Sequence, residues 1–361
     1  MSSYRLACIP GDGIGPEVIA VGLRALRAAG EVTGRFTIET TDLPWSCSYY
    51  LQHGVMMPPE GLTILREHDA IYLGAVGFPS VPDHVSLRGL LLPIRQGFDQ
   101  YVNLRPVRVL DGIPSPLRAG SSKTVDILCV RENTEGEYAG IGGRFKRGTA
   151  DEVAVQSSVY TRKGVERIGR YAFQRAQQRR KQLASATKSN ALQYTAVLWD
   201  EVIDGLATEF PDVILTRYHI DALAARFVTA PDSLDVVVGS NLYADILTDL
   251  GGALQGSLGL AASANLNPER RYPSMFEPVH GSAPTIAGRG IANPLAAIWS
   301  ASLMLEHLQE SEAAALLMSA VEEVAANGPH TQDLGGKART QEVGDAVIQA
   351  IGSGRTAQAG I

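Results

Sequence analysis

Short apolar runs separated by helical patterns organise this chain. Four of these runs are almost wholly apolar and too short for a helix, so each predicts a buried strand. They are residues 6–9, 70–75, 127–130 and 234–238. A helical pattern follows the first run to about Gly30, and Pro16 and Glu17 suit its first turn. Strands that alternate with helices predict an α/β fold with a largely parallel sheet.

A basic segment from Arg162 to Lys181 also has helical periodicity. Its apolar stripe consists of Val165, Ile168, Ala172 and Ala176. Its other positions carry many arginines and predict a solvated helix face. These arginines include Arg167, Arg170, Arg175, Arg179 and Arg180.

Size, charge and cysteine content limit the class of protein. The 361 residues predict about two domains. The net charge of −6 provides no basic field for nucleic acid, and no run of about 18 apolar residues predicts a membrane span. Cys8, Cys47 and Cys129 are far apart and form no C-x-x-C pair, which favours a reducing compartment. Met1–Pro10 has no charged segment followed by a long apolar one, so we expect a cytoplasmic protein without a signal peptide.

A glycine-rich loop, Gly11–Gly15, lies between the first strand and the first helix. It is typical either of a tight turn or of a dinucleotide-binding loop. The spacing is G-x-G-x-G rather than G-x-G-x-x-G, which favours the turn. A phosphate-binding or kinase-like enzyme would have Gly-Lys-Ser/Thr after the glycines. The sequence Gly15-Pro16-Glu17 argues against that class.

Polar residues after the predicted strands are the first candidates for chemistry. Arg131 follows the strand at 127–130 and begins a polar stretch that ends at Tyr138. The carboxyl ends of strands line the ligand crevice of an open α/β sheet. Arg131, together with Arg95 and Arg105, can bind carboxylates in a bidentate manner, although ordinary surface positions are the alternative.

Asp245 and Asp249 are four residues apart in a predicted helix and therefore share one face. Like charges at this spacing repel each other unless a cation lies between them. Oxygen ligands favour Mg²⁺ or Mn²⁺, and the apolar flanking residues favour a metal site over a solvated acidic face. Farther along, Glu277–Pro284 contains His280, which is either structural or in contact with a cofactor.

Taken together, these segments resemble the β-decarboxylating dehydrogenases, which act on isopropylmalate, isocitrate, homoisocitrate, tartrate or D-malate. The match extends to about His307, and its ordered motifs make a chance similarity untenable. The motifs are Ile9–Glu17, Asn103–Pro106, Arg131–Gly136, Thr187–Asn190, Asn241–Asp249, Glu277–Pro284 and Ile291–Pro294.

The resemblance implies a two-domain α/β fold of the isopropylmalate/isocitrate dehydrogenase type, not a Rossmann fold. A terminal domain, residues 1–104 and 254–361, is expected to carry most of the cofactor site. A central domain, residues 105–253, is expected to carry the interface of a homodimer. The cofactors implied are NAD, a divalent Mg²⁺ or Mn²⁺ ion and a monovalent cation such as K⁺.

The resemblance also implies roles for individual residues. Tyr138 is the expected general acid and Lys188 the base, and Lys188 and Asp221 are expected to reach the active site of the other subunit. The substrate residues are Arg95, Arg105 and Arg131 for the carboxylates, and Leu91 and Leu92 for the group on C3. The metal ligands are Asp221, Asp245 and Asp249. The cofactor residues are His280, Gly281, Ser282, Ala283, Pro284 and Asn293.

This family activity is the oxidation of a metal-chelated 2-hydroxy acid, with or without decarboxylation. Val81–Arg88 resembles the Pro-Asp-His-x-Ser-Leu segment of the tartrate and D-malate enzymes, so we expect those small-molecule substrates. The pair Leu91-Leu92 also occurs in isopropylmalate enzymes, so 3-isopropylmalate is the alternative. Arg88 stands where those enzymes have Glu, and Thr285 stands where NAD-linked relatives have Asp. A non-enzymatic binding protein would tolerate loss of the catalytic residues, and all of them are present.

Overall fold

The computed structural model describes residues 1–117 and 125–358. Its strands are β1 (Ser2–Gly11), β2 (Phe36–Asp42), β3 (Ala70–Ala75), β4 (Val102–Arg108), β5 (Asp126–Glu132), β6 (Gly142–Phe145), β7 (Val153–Gln156), β8 (Gln182–Thr187), β9 (Ile214–His219), β10 (Val236–Gly239), β11 (Ala262–Leu266) and β12 (Ser274–Pro278). Its helices are α1 (Gly15–Thr33), α2 (Cys47–His53), α3 (Gly61–Arg66), α4 (Asp83–Ser86), α5 (Leu92–Gly97), α6 (Arg162–Gln177), α7 (Thr195–Ala207), α8 (Ile220–Thr229), α9 (Asn241–Leu254), α10 (Leu295–His307), α11 (Ser311–Asn327) and α12 (Thr340–Gln358). The predicted α/β class is confirmed.

Helix α1 illustrates how local sequence sets an element. Pro16 lies in its first turn, where a missing N–H leaves no hydrogen bond unmade, and Glu17 faces the positive helix end. The helix runs past Gly30 to Thr33 and ends at Gly34, whose φ of 65° is the left-handed conformation of a helix C-cap. The Gly34 N–H donates to the Gly30 carbonyl at 2.8 Å.

The described residues form two compact units. The first contains residues 1–100, 108–117 and 252–358. Its strands lie in the order β2-β1-β3-β12-β11, and all neighbours are parallel except β11 and β12. All six residues of β3 are buried, as expected for a parallel strand covered on both faces.

The second unit contains residues 101–107 and 125–251. Its strands lie in the order β4-β5-β10-β8-β9, with β5, β10, β8 and β9 parallel along their shared edges. A separate antiparallel hairpin consists of β6 and β7, and every residue of both strands is exposed. Among the described helices, none is long and apolar enough to cross a membrane.

The basic helix α6 differs in part from expectation. Its predicted stripe of Val165, Ile168, Ala172 and Ala176 is buried, as expected. Several arginines of the predicted solvated face are engaged instead, among them Arg167 and Arg179. The Arg167 guanidinium stacks 4.2 Å from the centre of the Tyr101 ring. Arg179, just beyond the helix, donates to the buried Asp235 carboxylate at 2.7 Å. A planar guanidinium packs its faces while its edges donate, so a charged residue need not lie in solvent.

The three cysteines are free and fully buried. Burial raises the pKa of the Cys8, Cys47 and Cys129 thiols to about 12. These thiols are therefore packing residues rather than nucleophiles.

Candidate active site

A polar cluster in the second unit is centred on the Asp245 carboxylate of α9. Arg131, at the end of β5, is buried and pairs with Asp245 through Nη1. Its Nε and Nη2 donate to the Asn241 side-chain oxygen at 3.1 and 2.6 Å. Because β5 and α9 both contribute to this arrangement, the orientation of the guanidinium is fixed before any ligand binds.

Arg105 approaches the same carboxylate from β4. Its Nη1 lies 3.2 Å from Asp245 Oδ1 and 3.8 Å from Asp249 Oδ1, and it donates to Thr248 Oγ1 at 2.6 Å. Partial burial and the neighbouring Asp245 charge raise the pKa of the Asp249 carboxyl, while Arg105 and Arg131 oppose that rise. The predicted aspartate pair is thus part of a balanced cluster of two carboxylates and two guanidiniums.

Tyr138 lies in a single 3₁₀ turn, Glu137–Ala139, and its hydroxyl donates to Asp245 Oδ2 at 3.1 Å. The Arg131 guanidinium carbon is 5.4 Å from the centre of the Tyr138 ring. The loop before this turn is held by the buried Glu132 carboxylate, which accepts from the Thr134 and Glu135 N–H groups. Five of the predicted site residues, Arg105, Arg131, Tyr138, Asp245 and Asp249, therefore lie together.

Lys188 and Asp221 form a different pair. Lys188 follows β8, Asp221 lies in the first turn of α8, and Lys188 Nζ donates to Asp221 Oδ1 at 2.7 Å. This bond lowers the pKa of the Asp221 carboxyl. Within residues 1–117 and 125–358, no group of three His, Cys, Asp or Glu side chains could hold a metal ion. A single chain therefore does not bring the three predicted metal ligands together.

Arg95 lies in α5 of the first unit. Its Nη2 donates to Glu277 Oε1 at 2.7 Å, and both side chains are buried. Its Nε is buried and has no hydrogen-bond partner among the described residues. Arg95 is thus held by an acidic partner that the sequence did not indicate.

The segment before Arg95 is one turn of π-helix, Leu87–Leu91, between α4 and α5. The Leu92 N–H donates to the Leu87 carbonyl, and Pro93 follows immediately. Proline has no N–H and would clash with the carbonyl four residues earlier, and the wider turn accommodates it. Leu92 is buried and Leu91 half-buried, so Leu91 is the more accessible of the two predicted substrate leucines. Arg88 is exposed and pairs with none of the described residues.

Two cavities in the first unit adjoin the predicted cofactor loop. The larger, of about 580 Å³, is lined by His280, Gly281, Ala283 and Asn293 among others. Burial lowers the pKa of the His280 imidazole, and its Nε2 has no partner among the described residues. A neighbouring cavity of about 470 Å³ is lined by Gly281, Ser282 and Pro284. The six predicted cofactor residues are therefore divided between two cavities that share Gly281.

The glycine-rich loop Gly11–Gly15 packs against Ser282, which lines the second of these cavities. The Ile14 N–H donates to the Ser282 carbonyl at 2.9 Å. Gly13 has a φ of 60°, and a Cβ at that position would lie 1.9 Å from the same carbonyl oxygen. Gly13 is therefore required both for its left-handed conformation and for this close approach. The tight-turn interpretation agrees with this geometry.

Comparison with known proteins shows the family of the chain. The isocitrate/isopropylmalate dehydrogenase family matches residues 5–347. The chain belongs to this family. It is 55% identical over 352 residues to a probable tartrate dehydrogenase/decarboxylase of Agrobacterium vitis, with 97% of each chain covered. It is 52% identical over 359 residues to the decarboxylating D-malate dehydrogenase of Escherichia coli (strain K12), covering 97% of this chain and 99% of that one.

Solved structures agree with this assignment to the isocitrate/isopropylmalate dehydrogenase family. The crystal structure of isocitrate dehydrogenase from Methylococcus capsulatus has a TM-score of 0.87 and 34% sequence identity. The alignment covers 96% of this chain and 99% of that chain. The predicted isopropylmalate/isocitrate dehydrogenase-like fold is confirmed.

Sequence reasoning missed several residues that this family member places around the predicted site. Asn241 and Thr248 orient the two arginines of the cluster. Asp333 accepts from Asn293 Nδ2 at 3.0 Å and from Ser257 Oγ at the rim of the larger cavity. Asn241 and Thr248 lie in the motif Asn241–Asp249. They are near Asp245 on the same helix, and that spacing is a signal that could have found them. Asp333 is forty positions from Asn293, and no local pattern joins the two.

Proposed function

We propose that this chain is an NAD-dependent dehydrogenase that oxidises D-malate and tartrates, with or without decarboxylation. The observation that carries the proposal is the convergence of Arg105, Arg131 and Tyr138 on Asp245. The identities of 55% and 52% to enzymes named for tartrate and D-malate support this substrate class.

Arg105 and Arg131 bind the carboxylates of the substrate. Both guanidiniums are buried, and Asn241 and Thr248 hold them in position. Buried, oriented guanidiniums bind carboxylates in a bidentate manner without first losing conformational freedom. Arg105 Nε is buried with no partner among the described residues, so it is a donor that a carboxylate can satisfy.

Asp245 and Asp249 fit a Mg²⁺ or Mn²⁺ ion. Their carboxylates share one helix face, and the raised pKa of Asp249 reflects partial burial next to a second negative charge. A divalent cation removes that repulsion, and an all-oxygen donor set suits a hard ion. When bound, such an ion polarises the 2-hydroxyl and the adjacent carboxylate as a Lewis acid. Asp221 of a second subunit completes the ligand set.

Tyr138 and Lys188 move the protons. The Tyr138 hydroxyl, held at 3.1 Å by Asp245, supplies the proton that replaces CO₂ at C3. Lys188, contributed by the second subunit with Asp221, accepts the proton of the 2-hydroxyl when it is in the neutral amine form. Lys188 and Asp221 are already paired with each other within one chain. This pairing supports their contribution to the second site as a unit.

Exposed apolar residues support the homodimer. The β6–β7 hairpin exposes Phe145 and Val153, and a two-stranded hairpin is at best marginally stable alone in water. Elsewhere in the second unit Tyr194 is 80% exposed, and Ile214 and Ile246 are also exposed. Burying these side chains against a second copy stabilises both the hairpin and the assembly.

NAD binds at the larger cavity of the first unit. Its apolar walls include Ile14, Leu258 and Ile286, which suit an adenine ring, and Asn293 and Asp333 lie at its polar rim. Thr285 is exposed beside the loop and carries no positive charge for a 2′-phosphate. We therefore expect NAD to be preferred over NADP, with a softer preference than an Asp would give.

A substrate panel followed at the NADH absorbance band tests this function. We expect kcat/KM to rank D-malate, L-tartrate and meso-tartrate above 3-isopropylmalate and isocitrate. Residues 89–92 carry only apolar side chains or none, so this segment offers no side-chain donor to a third carboxylate. The alternative substrate is 3-isopropylmalate, because the half-buried Leu91 is an apolar side chain that could contact its isopropyl group. A preference for 3-isopropylmalate above about tenfold, roughly 1.4 kcal/mol, establishes that alternative instead.

Subunit mixing tests the shared active site. Lys188→Ala and Tyr138→Phe subunits are each expected to be inactive alone. After subunit exchange, a heterodimer contains one site with neither substitution, so activity returns to a fraction of wild type. Confirmed exchange without any return of activity contradicts the cross-subunit assignment.

A further inference from the structure

The buried ion pair between Arg95 and Glu277 has a geometry that packing alone does not require. The two side chains are 7% and 9% exposed, and one short bond of 2.7 Å joins them. A buried ion pair contributes little net stability, whereas removing one partner strands the other charge. Such a pair is therefore weak evidence for a role in folding and invites a functional explanation.

The Glu277 carboxylate is itself oriented. Asn265 Nδ2 donates to the same Oε1 atom at 2.7 Å, and Asn265 is fully buried on the adjacent strand β11. Asn265 pairs with Met275 in the antiparallel register, so it lies diagonally across from Glu277 on one face. The backbone of Glu277 is also fixed, because its carbonyl accepts from Ser300 Oγ at 2.9 Å. Asn265 and Ser300 thus give the carboxylate one position.

The contact leaves most of the Arg95 guanidinium available. A guanidinium has five N–H donors. Glu277 engages Nη2, while Nε is buried without a partner among the described residues. A partly satisfied buried cation is ready to accept a second carboxylate, and its free donors remain in a fixed place.

We propose that Glu277 is a positioning residue that holds Arg95 to receive a carboxylate of the substrate. Asn265 acts one step farther back, since it fixes the oxygen that Arg95 contacts. This inference rests on the proposed function, because it assigns Arg95 to the 2-hydroxy acid.

A double-mutant cycle with D-malate and NAD tests the inference. Glu277→Gln keeps the shape and removes the charge, and Arg95→Lys keeps the charge and removes the fork. We expect each single variant to raise the KM for D-malate about tenfold or more, with a smaller change in kcat and an unchanged KM for NAD. If Glu277 acts through Arg95, the double variant is little worse than Arg95→Lys. Asn265→Ala, which leaves the pair in place, is expected to raise this KM about two- to fivefold.

Ser274→Ala is the matched control, because Ser274 is a buried polar residue on the same strand and outside the site. We expect it to leave the KM for D-malate unchanged. Additive effects of Glu277→Gln and Arg95→Lys, or an equal rise in the KM for NAD, overturn the positioning role. If Glu277→Gln does not fold, an unchanged KM in Asn265→Ala overturns it as well. A wild type that oxidises no acid of the panel overturns the proposed function first, and this inference with it.

Discussion

Gly13→Ala is expected to impair both folding and the use of NAD. The new Cβ would lie 1.9 Å from the Ser282 carbonyl oxygen and 2.7 Å from its carbonyl carbon. Relief of this overlap requires a backbone shift of more than about 1 Å in the loop that borders both cavities, since real Cβ contacts are far longer. The left-handed conformation adds about 1–2 kcal/mol, and overpacking adds roughly 1–3 kcal/mol.

Gly34→Ala separates these two contributions. Gly34 has a φ of 65°, close to the 60° of Gly13, but an added Cβ there meets no atom within 4 Å. We expect it to lower the free energy of unfolding by about 1–2 kcal/mol and leave activity intact. For Gly13→Ala we expect kcat/KM for NAD to fall about 100-fold, because a misplacement of 1 Å has effects of that size. Denaturant unfolding and initial rates measure both quantities. Equal kcat/KM values for the two variants would refute this reasoning.

Three further predictions concern pH, metal and cofactor. Burial lowers the pKa of His307 to about 4, so between pH 6.5 and 4 the unfolded chain gains this proton and the folded chain does not. The free energy of unfolding therefore decreases as the pH is lowered. His307→Gln should remove about 2 kcal/mol of the loss between pH 7 and 4.5, measured by unfolding at the two pH values; an unchanged pH dependence contradicts this expectation. Chelation should abolish activity and Mn²⁺ restore it, and Asp249→Asn should raise the half-saturating Mn²⁺ concentration at least about tenfold; full activity of metal-stripped enzyme argues against the site. Thr285→Asp should increase the NAD:NADP ratio of kcat/KM about fivefold or more. An unchanged ratio would mean that the residue at position 285 does not influence the choice of cofactor.

Local patterns predicted the elements well where burial was uniform. The run of residues 70–75 coincides with β3, because a wholly buried strand is apolar from end to end. The end of α1 was less well placed. Gly30 was taken as its limit, yet Gly30 lies within the helix against Phe36, and Gly34 provides the left-handed cap. A glycine indicates either a close contact or a helix end, and only the packing distinguishes the two.

In the candidate site as well, local spacing was predictable and long-range contacts were not. Helical spacing predicted that Asp245 and Asp249 share a face, and they do. The partner of Arg95 lies 182 positions away along the chain, and no periodicity connects two such residues. Arg167 was expected to be solvated because its charge is visible in the sequence and the Tyr101 ring beneath it is not. Long-range pairing of polar groups is therefore what the pattern left out.

The three buried cysteines make this chain a convenient subject for chemical labelling. Only thiolates react with thiol reagents, and pKa values near 12 leave almost none at neutral pH in the folded chain. The rate at which a reagent modifies Cys8, Cys47 or Cys129 therefore reports how often the surrounding structure opens. Because the three native thiols react so slowly, they also contribute almost no background when another cysteine is labelled. A single cysteine introduced at the exposed Glu31 of α1 could carry a spectroscopic probe without replacing any residue of the core or of the proposed dimer surface.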